Sequence, residues 1–182
     1  MAGIPLIERF VARALIRRHC RANPPESTVR IVRAQQGELV GLIGHAGEAA
    51  SRRVRIKRLP GLERSSTNYS LAMVADHLAR TNTDMARTVE ALARNEDPGI
   101  VVEIARYKPD PDAAPQKALA DLESSIALLE SALADPAAIR AATRTLEHPW
   151  FGPLTAATWA CFPSFHQAIH LKQARLIAQG IR

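Results

Sequence analysis

Apolar and basic residues alternate at helical spacing over residues 4–22, with Ile7, Phe10, Val11, Ala14 and Leu15 on one side and Arg9, Arg13 and Arg17 on the other. The pattern predicts an amphipathic arm ended by Asn23-Pro24-Pro25. The short connector to the next segment predicts that the arm docks on the body of the protein. Ser27 or Thr28 is a candidate cap for a second helix reaching about residue 50. Within it Gly37, Gly41, Gly44 and Gly47 share one face, which either admits a close neighbouring helix or breaks the segment. After a polar loop opening at Pro60-Gly61, Ser70 caps a third pattern whose stripe is Leu71, Val74, Leu78, Met85, Val89 and Leu92, running to about Arg94. Asp97-Pro98-Gly99 stops it, residues 100–106 form a short β-branched stretch, and Pro109, Pro111 and Pro115 mark a loop. Leu119, Leu122, Ile126, Leu129 and Leu133 predict a helix over about 116–134. A loop with Pro149, Gly152 and Pro153 leads to a last helix over about 155–179, which Pro163 should kink or delay. The expected fold class is all-α. It is a four-helix bundle over residues 27–182, preceded by an extra N-terminal amphipathic, basic helical arm over residues 1–26.

Composition narrows this reading. A chain of 182 residues with 47% apolar and 23% charged residues can fill one core and is not a disordered chain. An aromatic share of 4% weighs against a sandwich or barrel. Cys20 and Cys161 are too few for a disulfide framework or a four-thiolate zinc site. No uncharged apolar run reaches the roughly 18 residues of a membrane span. Glu8, Arg9 and Arg13 interrupt the first apolar stretch, so a signal peptide is not expected and the cytoplasm is the expected compartment.

The net charge of +6 is uneven, because residues 1–66 carry 13 Lys/Arg against 5 Asp/Glu. Such asymmetry can serve an anionic partner. The densest cluster, Arg52, Arg53, Arg55, Lys57 and Arg58, has no interleaved aromatic on which a base could stack. A solvated face is expected there rather than a nucleic-acid site.

Among the six histidines, His166 and His170 stand at i, i+4 on the last helix. Both rings therefore leave the same face one turn apart, the spacing by which one helix offers two imidazoles to one metal. Phe162, Ile169, Gln173 and Ile177 continue that stripe inward. His77 lies one position from the stripe of the 70–94 helix and could supply a third ligand or simply hydrogen-bond a carbonyl at the core edge. His45, one turn before Glu48, reads as a solvated residue, His148 as part of an extended loop before Pro149, and His19 as part of the arm. Cys161 reads as packing, and Ser65, Ser66 and Thr67 lack a nucleophile elbow or an evident base.

Two stretches resemble a known family. Asn68-Tyr69-Ser70 followed by His77-Leu78 is similar to the opening of the second bundle helix in DinB/YfiT-like proteins. His148-Pro149-Trp150-Phe151-Gly152-Pro153-Leu154-Thr155, then Trp159, His166, His170 and Leu171-Lys172-Gln173, resembles the C-terminal motif of one branch of that superfamily. The resemblance covers residues 28–179. It departs at Tyr69, where the family has tryptophan, at Met73, where an acidic residue is common, and at Pro163. It implies a four-helix bundle, often dimeric, whose histidine triad holds a divalent metal such as nickel, zinc or iron. Carried onto this chain, the triad is His77, His166 and His170, with Gln173, Trp159 and Phe162 as candidates to support the ligands or wall a pocket. Characterised relatives include metal-dependent transferases and isomerases that use low-molecular-weight thiols.

The expected function is therefore a metal-dependent enzyme acting on a small molecule by thiol-transfer, isomerase or hydrolase chemistry, as a homodimer. Its rival is a non-catalytic bundle that binds a partner or nucleic acid through the basic N-terminal region.

Overall fold

The structure is a computed structural model that describes residues 6–53 and 66–180, with side chains from residue 10. Helices α1 (Leu6–Ala22), α2 (Pro25–Ala46) and α3 (Glu48–Ser51) are followed by α4 (Leu71–Ala93) and a 3-10 turn (Ile104–Tyr107). Then come α5 (Pro115–Ala132), α6 (Pro136–Ala141), strands β1 (Thr145–His148) and β2 (Gly152–Thr155), and α7 (Ala156–Gln179). The chain is a four-helix bundle in which α7 packs on α2 and α4, while α5 packs on α4 and α2. No helix among the described residues is long and apolar enough to cross a membrane.

Helix α4 forms where its pattern places it. Ser70 caps it by accepting from the Met73 N–H at 3.1 Å, and the Met73 thioether sulfur accepts weakly from the Ser70 N–H at 3.5 Å. A sulfur thus closes the capping box where a carboxylate usually would. All six residues of its predicted stripe are buried, and they meet Leu122, Ile126 and Leu129 of α5 in one core. Helix α7 starts at its Thr155 cap, whose hydroxyl accepts from the Thr158 N–H, and stays helical through Pro163.

The expected cap of α2 and the loop around Pro149 need correction, and of the two alternatives open for the glycines of α2 the break is the one found. Helix α2 starts at Pro25, with Pro24 as cap, because proline at the first helical position has no N–H to leave unpaired. Thr28, one of the predicted caps, is buried inside it. The helix breaks at Gly47, whose φ of +74° suits glycine, and the glycine face admits no close neighbour within the described residues: a Cβ on Gly37, Gly41 or Gly44 would meet nothing within 4 Å. The loop expected around Pro149 and Gly152 is the turn of an antiparallel hairpin, with His148 paired to Gly152 and Thr145 to Thr155.

The face of α1 is also reversed. Phe10, Val11 and Leu15 are 76, 49 and 52% exposed, whereas Ile16 is 2% exposed, and Ala12 and Cys20 pack beside it. The arm does dock, but through the other side. Ile7, Ser65 and the Arg55, Lys57 and Arg58 part of the basic cluster lie outside the residues whose side chains are described. Arg52 and Arg53 are exposed, with Arg52 paired to Glu48.

Candidate metal centre

Helix α4 turns His77 toward α7 because that residue borders the Val74 and Leu78 stripe, and the i, i+4 spacing on α7 stacks His166 above His170. The rotation of α7 is held by a buried amide one residue further on. Gln167 donates from Nε2 to the Val32 carbonyl at 2.8 Å, and its Oε1 accepts from Asn82 Nδ2 at 3.3 Å, tying α2, α4 and α7 together. The three imidazoles consequently converge. His77 Nε2 lies 3.4 Å from His166 Nε2 and 3.1 Å from His170 Nε2. One nitrogen from each ring falls within a sphere where all separations are under 4.8 Å.

The outer nitrogens determine what the inner ones carry. His77 Nδ1 is 2.6 Å from the Tyr107 carbonyl, which can only accept, so the proton sits on Nδ1 and Nε2 presents a lone pair. Gln173 donates from Nε2 to the Ser66 carbonyl at 2.6 Å, which turns its Oε1 toward His170 Nδ1 at 2.9 Å. His170 therefore also holds its proton on Nδ1 and directs a lone pair inward. Two bare nitrogens facing each other at 3.1 Å repel. A cation held between them would relieve that repulsion, each nitrogen offering it a lone pair. His166 Nδ1 is buried and has no hydrogen-bond partner among the described residues, where this ring packs against Phe162.

Burial pulls the His77, His166 and His170 pKa values below that of a free imidazole, and the close approach of the other rings lowers those of His166 and His170 further. The triad is thus neutral at pH 7, the form that binds metal. Three imidazoles without a carboxylate fit a borderline divalent transition metal far better than calcium or magnesium, which take oxygen ligands. Three protein ligands also leave a tetrahedral ion one open position.

The surroundings of the triad are held with equal care. Asp76 accepts from Arg80 at 2.8 Å and from the Asp110 N–H at 2.9 Å, while the Tyr107 hydroxyl donates to Asp84 at 3.1 Å. These bonds pin the 107–110 segment, so the Tyr107 carbonyl stays aimed at His77. Tyr69 stacks on His170 at 6.3 Å and leans on His77 at 5.7 Å. Trp159 stands one ring further out, against Phe162 and His148, with its indole N–H directed at the Leu146 carbonyl.

The remaining histidines lie elsewhere. His148 accepts on Nδ1 from the Trp150 N–H amid Phe151, Trp159 and Phe162, and burial pushes its pKa down to about 3. His45 bonds the Gly41 carbonyl in an exposed position, and His19 bonds Ser164 across the α1–α7 seam. Sequence reasoning missed Tyr107 and Ser66 because they act through backbone carbonyls, which no side-chain pattern reports.

Comparison with known proteins adds the family. Residues 17–174 match the family model of the DinB superfamily. The chain belongs to the DinB superfamily. All three triad histidines, Gln173 and Tyr107 fall inside the region matched to the DinB model, while the first 16 residues, including exposed Phe10 and Leu15, precede it. The crystal structure of TT2238, a four-helix bundle protein, is similar to this DinB member with a TM-score of 0.52 and 22% identity over 82% of this chain and 96% of that one. That likeness speaks to the fold alone. Among curated proteins, none matches the chain.

Proposed function

We propose that this DinB member is a metal-dependent enzyme that binds one divalent transition metal through Nε2 of His77, His166 and His170. The observation that carries this reading is the pair of inward lone pairs at 3.1 Å on His77 and His170, each fixed by its own outer acceptor. A bound cation of this kind supplies Lewis acidity and lowers the pKa of a coordinated water or thiol. Neutral ligands leave its charge uncompensated, which suits an anionic nucleophile such as the thiolate of a small thiol.

The chain's own residues do the rest. Tyr107 and Gln173 keep the two Nδ1 protons outside the centre, Tyr69 and Phe162 exclude water from two sides, and Gln167 keeps α7 from rotating. Transfer, isomerisation or hydrolysis of a small molecule, by a cytoplasmic homodimer, is the reaction setting we propose. Elemental analysis of untagged protein after loading with nickel, zinc or iron should find one equivalent, and His166→Ala should lose it while its helical circular dichroism persists. Full metal stoichiometry in that variant, or none in the parent protein, would overturn the reading.

One observation favours a second reading, in which α1 is a binding module. Phe10, Val11 and Leu15 are exposed on the same helix as exposed Arg13, Arg17, Arg18 and Arg21. Deleting residues 1–22 would then abolish a salt-sensitive association with an anionic partner and leave metal content unchanged.

A further inference from the structure

Helix α1 docks through one face and leaves the other in water. Ile16 is buried, Ala12 and Cys20 pack against the core, and His19 bonds Ser164 of α7 at 2.7 Å. Arg13 lies against the hairpin turn, its guanidinium so close that a Cβ on Gly152 would meet it at 2.9 Å. Phe10, Val11, Ala14 and Leu15, and further along Arg17, Arg18 and Arg21, are exposed and stand about 100° or more round the helix from Ile16. The outer face is thus apolar in the N-terminal half of the helix and cationic in the C-terminal half.

The other large apolar side chains exposed among the described residues, Val40, Val101 and Leu128, stand singly on separate segments. Scattered residues of that kind are ordinary, whereas Phe10, Val11 and Leu15 gather within two turns of one helix and form a patch. Residues 10–22 include no Asp or Glu, and Arg17, Arg18 and Arg21 form no ion pair among the described residues. The apolar groups and the charges of this face are therefore both without a counterpart within the described chain.

We propose that α1, taken as the binding module of the second reading above, docks on an anionic phospholipid bilayer through this outer face. Charge and polarity together select that partner. A nucleic acid or another soluble polyanion supplies anions for the arginines but no apolar phase for Phe10, Val11 and Leu15. A bilayer surface supplies both, acyl chains below and phosphates above them. The N-terminal half of α1 sinks its apolar side chains into the boundary, and the guanidinia of Arg17, Arg18 and Arg21 bond headgroup phosphates. Each large apolar side chain taken out of water is worth about tenfold in partitioning, and each arginine near an anionic surface about fivefold. Because Ile16 and His19 hold the opposite face, the helix meets the bilayer without leaving the bundle.

The test mixes the full chain with sedimentable vesicles, one set of phosphatidylcholine alone and one of phosphatidylcholine with phosphatidylglycerol, and measures the pelleted fraction. The protein should pellet with the anionic vesicles, less as salt is raised, and stay in solution with phosphatidylcholine alone. Phe10→Ser combined with Leu15→Ser should weaken that binding about 100-fold. Arg17→Gln, Arg18→Gln and Arg21→Gln together should weaken it about as much. All five positions are exposed, so the helical circular dichroism should persist in both variants. A heparin column serves as the soluble polyanion. Retention on heparin without vesicle binding, or vesicle binding that Phe10→Ser with Leu15→Ser leaves intact, keeps α1 as a basic module but overturns the lipid surface. Absence of both kinds of binding overturns the second reading along with it. Equal binding to the two vesicle sets also overturns the proposal. The parent protein's behaviour with the two sets decides the matter even if a variant fails to fold.

Discussion

Helices α1 and α4 carry similar amphipathic patterns and meet opposite fates. On α4 every residue of the predicted apolar stripe is buried, along with polar Asp76, His77, Thr81 and Asn82, each held by a partner. On α1 the described part of the predicted stripe, Phe10, Val11, Ala14 and Leu15, faces solvent, and the helix instead buries Ile16, with Ala12 and Cys20 packed against the core. Periodicity tells how an apolar face is spaced, but a helix with apolar residues most of the way round can dock through more than one face. On α4 three neighbours, α5, α7 and α2, crowd the helix and leave no choice. On α1 the choice is made by one seam, where His19 finds Ser164.

The sharpest way to break this comparison is a pair of substitutions on α1. Ile16→Ala should cost about 2–4 kcal/mol, as for other buried aliphatic truncations, while Leu15→Ala, with half its surface in water, should stay within about 0.5 kcal/mol. Urea unfolding of both variants measures this, and equal losses would show that α1 docks through its predicted stripe after all.

The polar side of the comparison is tested at Gln173. Replacing it with Ala leaves the His170 Nδ1–H and the Ser66 carbonyl without their partners, so metal affinity should fall about 10- to 100-fold. Competition with a chromophoric chelator reads that change, and an unaltered affinity would mean that His170 needs no outer acceptor.

A smaller effect is expected from His148, which sits half-buried between the hairpin and α7 with no counter-charge bonded to it among the described residues. Its pKa, lowered to about 3 by burial, lies below that of the unfolded chain, so the unfolded state binds the extra proton first. The stability it contributes is complete above about pH 6.5 and drains away as the pH falls toward 3, by at most about 1.4 kcal/mol per pH unit. His148→Phe should therefore show a shallower fall in melting temperature between pH 7 and pH 5 than the parent protein. His19 and the triad keep part of the slope, since burial lowers their pKa values too. Parallel profiles would remove His148 as a source of acid sensitivity.

The smallest expected effect is at the open glycine face of α2. Gly37→Ala has room for its methyl group and should stabilise the helix by about 0.5–1 kcal/mol. A loss of stability that grows with protein concentration would instead reveal that a second copy uses this face.

Much of the candidate centre was legible in the chain itself. The i, i+4 spacing of His166 and His170 places both rings on one face of any helix, and His77 borders an apolar stripe that must turn inward. Helix starts at Ser70 and Thr155 were equally legible, because a hydroxyl that satisfies an otherwise unpaired N–H is a local arrangement. The hairpin at Thr145–Thr155 was not, since four-residue strands are too short to show a period.

What the sequence by itself determined is therefore whatever depends on neighbours within a few residues: the long helices, the starts at Ser70 and Thr155, and the spacing of the paired histidines. Only the tertiary structure decided which face of α1 docks and which carbonyl oxygens accept the protons of His77 and His170. Those outcomes depend on groups from distant segments arriving at one place. Backbone carbonyls leave no periodic mark of the partner they will find, so their roles exist only once the helices have packed.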